Sequence, residues 1–267
     1  MTVDRRRLLL GALAGFAAGP AIAAPASASP RLTARHAWAG DMNDTLFAVA
    51  PDTAVSIASV SKLITAWVVL SADLPLDERI RIVADDAARA QHTASQLAVG
   101  STHSRGQLLE WLLVASDNRA AMALSRSFPG GWPEFQYAMR ALLTQMQLFS
   151  FDFGDPSGLS PQNKASARDL GVLLLQLSQV PWFQQLATRP AVGGKANINR
   201  FAHDRSVQLL SGKTGFTSAA GYCLAMAERL GDRVVALVVL NSRDKEARAA
   251  DMNALRRHAR EALSRRE

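Results

Sequence analysis

Residues 56–70 read SIASVSKLITAWVVL: three serines and a lysine, then an apolar run with almost no polar face. Leu63, Ile64, Ala66, Trp67, Val68, Val69 and Leu70 predict a helix over 59–70 that is buried on all sides. Residues three apart share a helical face, so Ser59 and Lys62 can meet, whereas Ser61 points elsewhere and Ser56 precedes the helix. A serine hydroxyl is a poor nucleophile at neutral pH. A lysine takes its proton only where burial or nearby positive charge lowers the lysine pKa, and the apolar setting of Lys62 meets that need. The spacing alone is weak, because Ser242-Arg243-Asp244-Lys245 repeats it at the end of a strand.

Working outward, Leu32 to Val49 alternates apolar and polar stretches around Gly40-Asp41, the pattern of a strand hairpin. After the buried helix the chain reads as mostly helical to about residue 180. Leu108, Leu109, Leu112 and Leu113 share one face, Phe135, Met139, Leu142 and Met146 another. Ser166-Ala167-Arg168-Asp169 resembles a capping box before Leu170, Leu173, Leu174 and Leu177, and Gly154 to Gly158 is a loop. The last third returns to strands at Ser206–Leu210, Tyr222–Leu230 and Val234–Leu240, the last an unbroken apolar run that predicts a central position. A tail helix follows, with Met252, Leu255, Ala259 and Leu263 as its apolar stripe. Strands, helices, then strands predict an α/β (α+β) fold in which both ends of the chain build one sheet around a helical insertion.

The 267 residues are 48% apolar, enough for a substantial core, and the formal charge of +7 favours an anionic partner. The basic residues are scattered with no aromatic-interleaved stripe, which argues against nucleic acid. Arg5-Arg6-Arg7 precede an apolar run from Leu8 to Ala24 and small-residue sites at Ala21–Ala23 and Ala26–Ala28, so residues 1–28 read as an export signal of the twin-arginine or the general secretory kind. Gly11, Gly15, Gly19 and Pro20 interrupt that run and argue against a retained anchor. Cleavage after Ala28 leaves a formal charge of +5. Cys223 is the single cysteine, so no intrachain disulfide forms, and its apolar neighbours predict a buried strand residue. His36, His92, His103, His203 and His258 lack metal-ligand spacing, and no glycine-rich phosphate loop opens a helix, so no metal or other cofactor is expected.

Two distant motifs give the Ser59 and Lys62 pair its meaning. Ser116-Asp117-Asn118 follows a leucine-rich helix, and Lys213-Thr214-Gly215 follows a strand-like stretch. Taken in this order, the three resemble the signature of penicillin-binding proteins and class A β-lactamases, serine acyl-transferases that act on D-Ala-D-Ala peptides. The resemblance implies an acyl-enzyme on Ser59 with Lys62 as base. Ser116 would relay a proton between Lys62 and the leaving amine, Asn118 would hold a substrate amide, and Lys213 would supply positive potential that helps keep Lys62 neutral. Thr214 would bond a substrate carboxylate, and Gly215 would let a substrate backbone approach the strand edge as an added strand. The N–H groups of Ser59 and Phe216 would form the oxyanion hole.

Residues 116–135, 155–170 and 211–226 are similar to low-molecular-mass penicillin-binding proteins of the D-alanyl-D-alanine endopeptidase type, within a resemblance that spans about 32–242. It implies a β-lactamase/DD-peptidase-like fold, an antiparallel sheet flanked by terminal helices. After the signal, residues 29–267 form a single catalytic domain, with a sheet subdomain over about 29–58 and 200–267 and a helical one over about 59–199. A class A β-lactamase needs a glutamate to drive water onto the acyl-enzyme, and between the second and third motifs only Glu134 is available, at a helix start after Pro133. The expectation is therefore a long-lived penicilloyl enzyme. With no further β-rich domain or amphipathic anchor after the tail helix, the mature chain is expected in the periplasm, without a stable membrane anchor. It would cut D-Ala to diaminopimelate cross-links in peptidoglycan peptides. A D,D-carboxypeptidase or β-lactamase on the same fold, and an inactive wall- or β-lactam-binding receptor, stand as alternatives. Arg189 to Arg200 reads as a mobile polar loop that could border the cleft.

Overall fold

The computed structural model describes residues 30–91 and 93–265; the export signal read over 1–28, and His92, lie outside them. An antiparallel five-stranded sheet has the order β2-β1-β11-β10-β9. Its strands are β1 (His36–Gly40), β2 (Thr45–Val49), β9 (Gln208–Thr217), β10 (Gly221–Leu230) and β11 (Arg233–Ser242). Three short antiparallel pairs lie outside it: β3 (Val55–Ser56) with β6 (Lys164–Ala165), β4 (Arg79–Arg81) with β5 (Thr102–Ser104), and β7 (Ala191–Val192) with β8 (Lys195–Ala196). The helices are α1 (Lys62–Ser71), α2 (Ala84–Arg89), α3 (Arg105–Val114), α4 (Asn118–Arg126), α5 (Gly131–Gln145), α6 (Ala167–Leu177), α7 (Pro181–Ala187) and α8 (Lys245–Ser264).

The unbroken apolar runs of β10 and β11 follow from the sheet being covered on both faces. Cys223, Ala225 and Ala227 of β10, with Ala236, Val238 and Leu240 of β11, join a core shared with α1, α3 and α6. Their neighbours Leu224, Met226, Leu237 and Val239 turn the other way and pack on Met252, Leu255, Ala259 and Leu263, the stripe read in the tail. Each of the Leu, Val and Met side chains among them stabilises the fold by about 1.5–3 kcal/mol. α8 is also pinned by a buried bidentate ion pair, Arg256 to Glu228 of β10, at 2.7 and 2.8 Å.

Several expectations shift in detail. The hairpin, the central place of β11 and the α3, α5 and α6 faces match the reading, although α5 buries Leu143 and leaves Leu142 and Met146 partly open. Lys213-Thr214-Gly215 lies inside β9 rather than beyond it, because the strand runs on from Gln208 to Thr217. Half of the box at Ser166 forms: its side chain accepts from Asp169 N–H at 3.1 Å. The Asp169 carboxylate instead takes Ser150 N–H and Oγ at 3.0 and 2.7 Å.

Candidate active site

The buried helix does not begin at Ser59. Ala58 holds a left-handed φ of 49°, and a 3₁₀ turn over Ala58–Ser61 leads into α1 at Lys62. The turn keeps the three-residue proximity of Ser59 and Lys62, since a 3₁₀ turn nearly eclipses positions i and i+3. Ser61 is fully committed, donating to Ala58 O at 2.8 Å and accepting from Asn163 Nδ2 at 3.1 Å. Ser56 lies in β3, paired with Lys164. Ser242, the second candidate, is buried and donates to Asp251 at 2.7 Å, while Lys245 is exposed at the start of α8.

Lys62 is 0% exposed, and its Nζ contacts Ser59 Oγ at 2.9 Å, Asn118 Oδ1 at 2.6 Å and the Ser157 carbonyl at 2.5 Å. Burial lowers its pKa to about 7, against the pull of Asp155 and Asp117 toward the charged form. A neutral amine has two hydrogens and one lone pair. The two acceptor-only oxygens, of Asn118 and Ser157, claim the hydrogens, which aims the lone pair at Ser59 Oγ. That geometry suits removal of the serine proton.

The Ser157 carbonyl is held by a loop built on Asp155. One carboxylate oxygen accepts from the N–H groups of Ser157, Gly158 and Leu159 and from Ser157 Oγ; the other accepts from Ser160 N–H. Asn163 ties this loop to the serine turn through its bond to Ser61 and by accepting Ile57 N–H on its backbone oxygen. Gly158, at φ +87°, lies so close that a Cβ there would fall 2.1 Å from Ala58 O. The sequence shows a loop over Gly154 to Gly158; the finer signal is the Asp-x-Ser-Gly pattern of a side chain that caps its own following backbone.

Asn118 opens α4, which Asp117 caps by accepting from Ala120 N–H at 3.1 Å. Its Nδ2 donates to Thr93 at 3.0 Å, a partner that sequence gave no reason to expect. Ser116 adopts a left-handed φ of 58°, and its hydroxyl is not among the groups bonded to Lys62 Nζ. Lys213 is buried and donates to Thr214 O at 2.8 Å. Burial, then the charges of Lys62 and Arg248, hold it well below the usual lysine range. Burial is what lowers the Lys62 pKa, as its apolar setting implies, and the repulsion between the two lysines falls on Lys213.

Gly215 answers to a second neighbour besides the strand edge. A Cβ there would lie 2.7 Å from Ile57 O and 3.1 Å from Ser59 N, so its missing side chain admits the serine turn itself. Thr214 is buried opposite Leu224 of β10, and Phe216 stacks on Tyr222 with ring centroids 4.2 Å apart. Arg248 of α8, which sequence reading missed, sits 5.9 Å over the Tyr222 ring. β9 ends the sheet, which leaves its outer edge free of a strand partner among the described residues. Cys223, opposite Gly215, is buried, and burial pushes its thiol up to about 11.

Arg189 to Arg200 holds a short hairpin where the sequence suggests a polar loop. Its β7–β8 hairpin packs Gly193 against Trp111, Ile198 N–H bonds Val114 O at 3.2 Å, and Asn197 and Asn199 are buried. With Ala115 and Asp117 it borders a hollow of about 160 Å³ beside the second motif. Glu134 is exposed in the first turn of α5, packed over Gly130. Among the described residues, no group of three His, Cys, Asp or Glu is placed to hold a metal, and no helix is long and apolar enough to cross a membrane.

A serine beside a buried lysine of lowered pKa on one side, and a Lys-Thr-Gly edge strand on the other, define the class of penicillin-binding serine acyl-transferases. Residues 23–244 match the model of the D-alanyl-D-alanine carboxypeptidase family (peptidase family S11), and the chain belongs to that family. It is 35% identical over 246 residues to a D-alanyl-D-alanine endopeptidase of Escherichia coli, covering 88% of this chain and 79% of the relative. A Pseudomonas aeruginosa D-alanyl-D-alanine endopeptidase is 36% identical over 222 residues, covering 79% and 72%. Among solved structures, the Streptomyces K15 DD-transpeptidase superposes with a TM-score of 0.78 at 25% identity, covering 87% of this chain and 99% of that one. Penicillin-binding protein D2 of Listeria monocytogenes, in its cefotaxime-bound form, gives 0.75 at 25% identity with the same coverage.

Proposed function

We propose that the protein is a serine D,D-peptidase that opens D-alanyl cross-links in peptidoglycan peptides through an acyl-enzyme at Ser59, and that penicillins inhibit it covalently. The observation that carries this is the buried Lys62 amine of lowered pKa, 2.9 Å from Ser59 Oγ and bonded otherwise to two oxygens that can only accept. Lys62 takes the Ser59 proton as Oγ attacks the D-Ala carbonyl carbon. The oxyanion is held by the N–H groups of Ser59 and Phe216, the C–N bond breaks, and the proton passes by way of Ser116 to the leaving amine. Water, deprotonated by the same lysine, then hydrolyses the ester and frees Ser59.

Asn118, Lys213, Thr214 and Gly215 line the substrate in this scheme, and Arg248 supplies positive charge at the same end of the sheet. The long-lived penicilloyl state is supported by Asp155, whose oxygens are committed to the loop backbone, and by Glu134, which is exposed on α5. Export by a leader over 1–28, a single catalytic domain over 29–267 and a periplasmic site of action belong to the same proposal.

The endopeptidase reading draws on the names of the two relatives above. Trimming of terminal D-Ala is the second reading, favoured by the family description. Digestion of cross-linked muropeptides by the mature protein distinguishes them. Dimers converted to monomers are expected; loss of terminal D-Ala alone would move the assignment to a carboxypeptidase, and binding without either product to a receptor.

A further inference from the structure

We propose that the exposed Phe216 ring, backed by Tyr222 and Arg248, is the specificity surface that contacts the aliphatic arm of the leaving residue and so favours cross-links over terminal D-Ala. This inference rests on the D,D-peptidase reading above. Gly215, whose Cβ would lie 3.1 Å from Ser59 N, brings the β9 edge against the serine turn; Phe216 follows it on that edge, with its ring on the side of Tyr222 and Arg248. The ring is 53% exposed yet fixed by its stack on Tyr222, which in turn lies under the guanidinium of Arg248. A ring already held in place loses little conformational freedom on contact with a ligand.

The two candidate leaving residues differ in one respect. Both carry a carboxylate on the carbon that bears the departing nitrogen, and Arg248 offers a cation to it in either case. Terminal D-Ala continues from that carbon as a methyl group, a cross-linked diaminopimelate as a chain of methylenes. An open aromatic face beside Thr214 gives that chain an apolar contact that a methyl cannot reach. Methylenes leaving water for such a face are worth several-fold each in kcat/KM, and about tenfold together when contact is partial.

The test compares kcat/KM for a cross-linked muropeptide dimer with that for a monomeric pentapeptide, in wild type, Phe216→Ala and Phe216→Leu. Phe216→Ala is expected to lower dimer cleavage about tenfold and D-Ala release about twofold, with Phe216→Leu between. Penicillin labelling of each variant to full stoichiometry shows that it is folded and acylates. An unchanged ratio of the two substrates, or one that shifts toward the dimer, would overturn the inference. A wild type that labels with penicillin but opens no dimer would refute the reading beneath it, and the inference with it.

Discussion

Replacing Asp155 by asparagine separates the shape of the 155–160 loop from its charge. The side-chain oxygen of asparagine can keep the bonds from Ser157, Gly158 and Leu159, but its NH₂ faces Ser160 N–H, so one charge-assisted bond is lost. Such a bond is worth about 1.5–3 kcal/mol, or a fall in Tm of roughly 3–12 °C for a chain of this size. The charge acts on chemistry. Asp155 favours the ammonium form of Lys62, whose pKa stands at about 7, and its removal lowers that pKa further. Lys62 serves as base when neutral, so acylation rises with pH through its pKa, and a lower pKa moves that rising limb to more acid pH. At an effective dielectric of about 20, a unit charge within about 10 Å is worth about 1.7 kcal/mol or more, on the order of one pH unit or somewhat above. The assay is the second-order rate constant for labelling by a fluorescent penicillin from acid to mildly alkaline pH. A folded Asp155→Asn protein whose limb is unmoved, or displaced to alkaline pH, would refute the reasoning.

Three further outcomes are expected. Gly215→Ala places a methyl against Ile57 O and Ser59 N and displaces the serine turn, so penicillin labelling falls by about 100-fold while the circular dichroism spectrum is retained. Ser242→Ala leaves Asp251 short of a donor in a buried position and lowers the stability to urea by about 1–3 kcal/mol, with the labelling rate intact. Lys62→Met abolishes the base and cuts labelling by about 1,000-fold or more. It also alters stability: folding lowers the Lys62 pKa from 10.5 to about 7, so the cost of burying the amine is full below pH 7 and shrinks as pH rises toward 10.5. Urea unfolding should show the variant gaining on wild type as pH falls across that window.

Sequence reading went furthest where the physics is local or periodic. Helical spacing selected Ser59 over Ser56 and Ser61, and two-sided burial made β11 legible as the central strand. The tail stripe of α8 was visible for the same reason. It fell short where a site is made by contacts far apart in the chain. Ser157 reaches Lys62 through a backbone carbonyl, which any residue type could supply, and Thr93 meets Asn118 from a segment with no motif. Asp155 looked like a turn residue because it is one; its electrostatic effect on Lys62 depends on where the turn docks. The contact of Gly215 with the Ser59 turn is invisible in sequence because the two lie more than a hundred residues apart in the chain. Arg248 was one basic residue among many until α8 was seen to deliver it over Tyr222.

The central claim is that Ser59 is the acylated residue, and peptide mapping of the penicillin adduct tests it most directly. Mature protein treated with penicillin, digested and analysed by mass spectrometry should carry a single penicilloyl group on the peptide that contains Ser59, and Ser59→Ala should carry none. An adduct on Ser61, Ser116 or Ser242, or undiminished labelling of folded Ser59→Ala, would contradict the account.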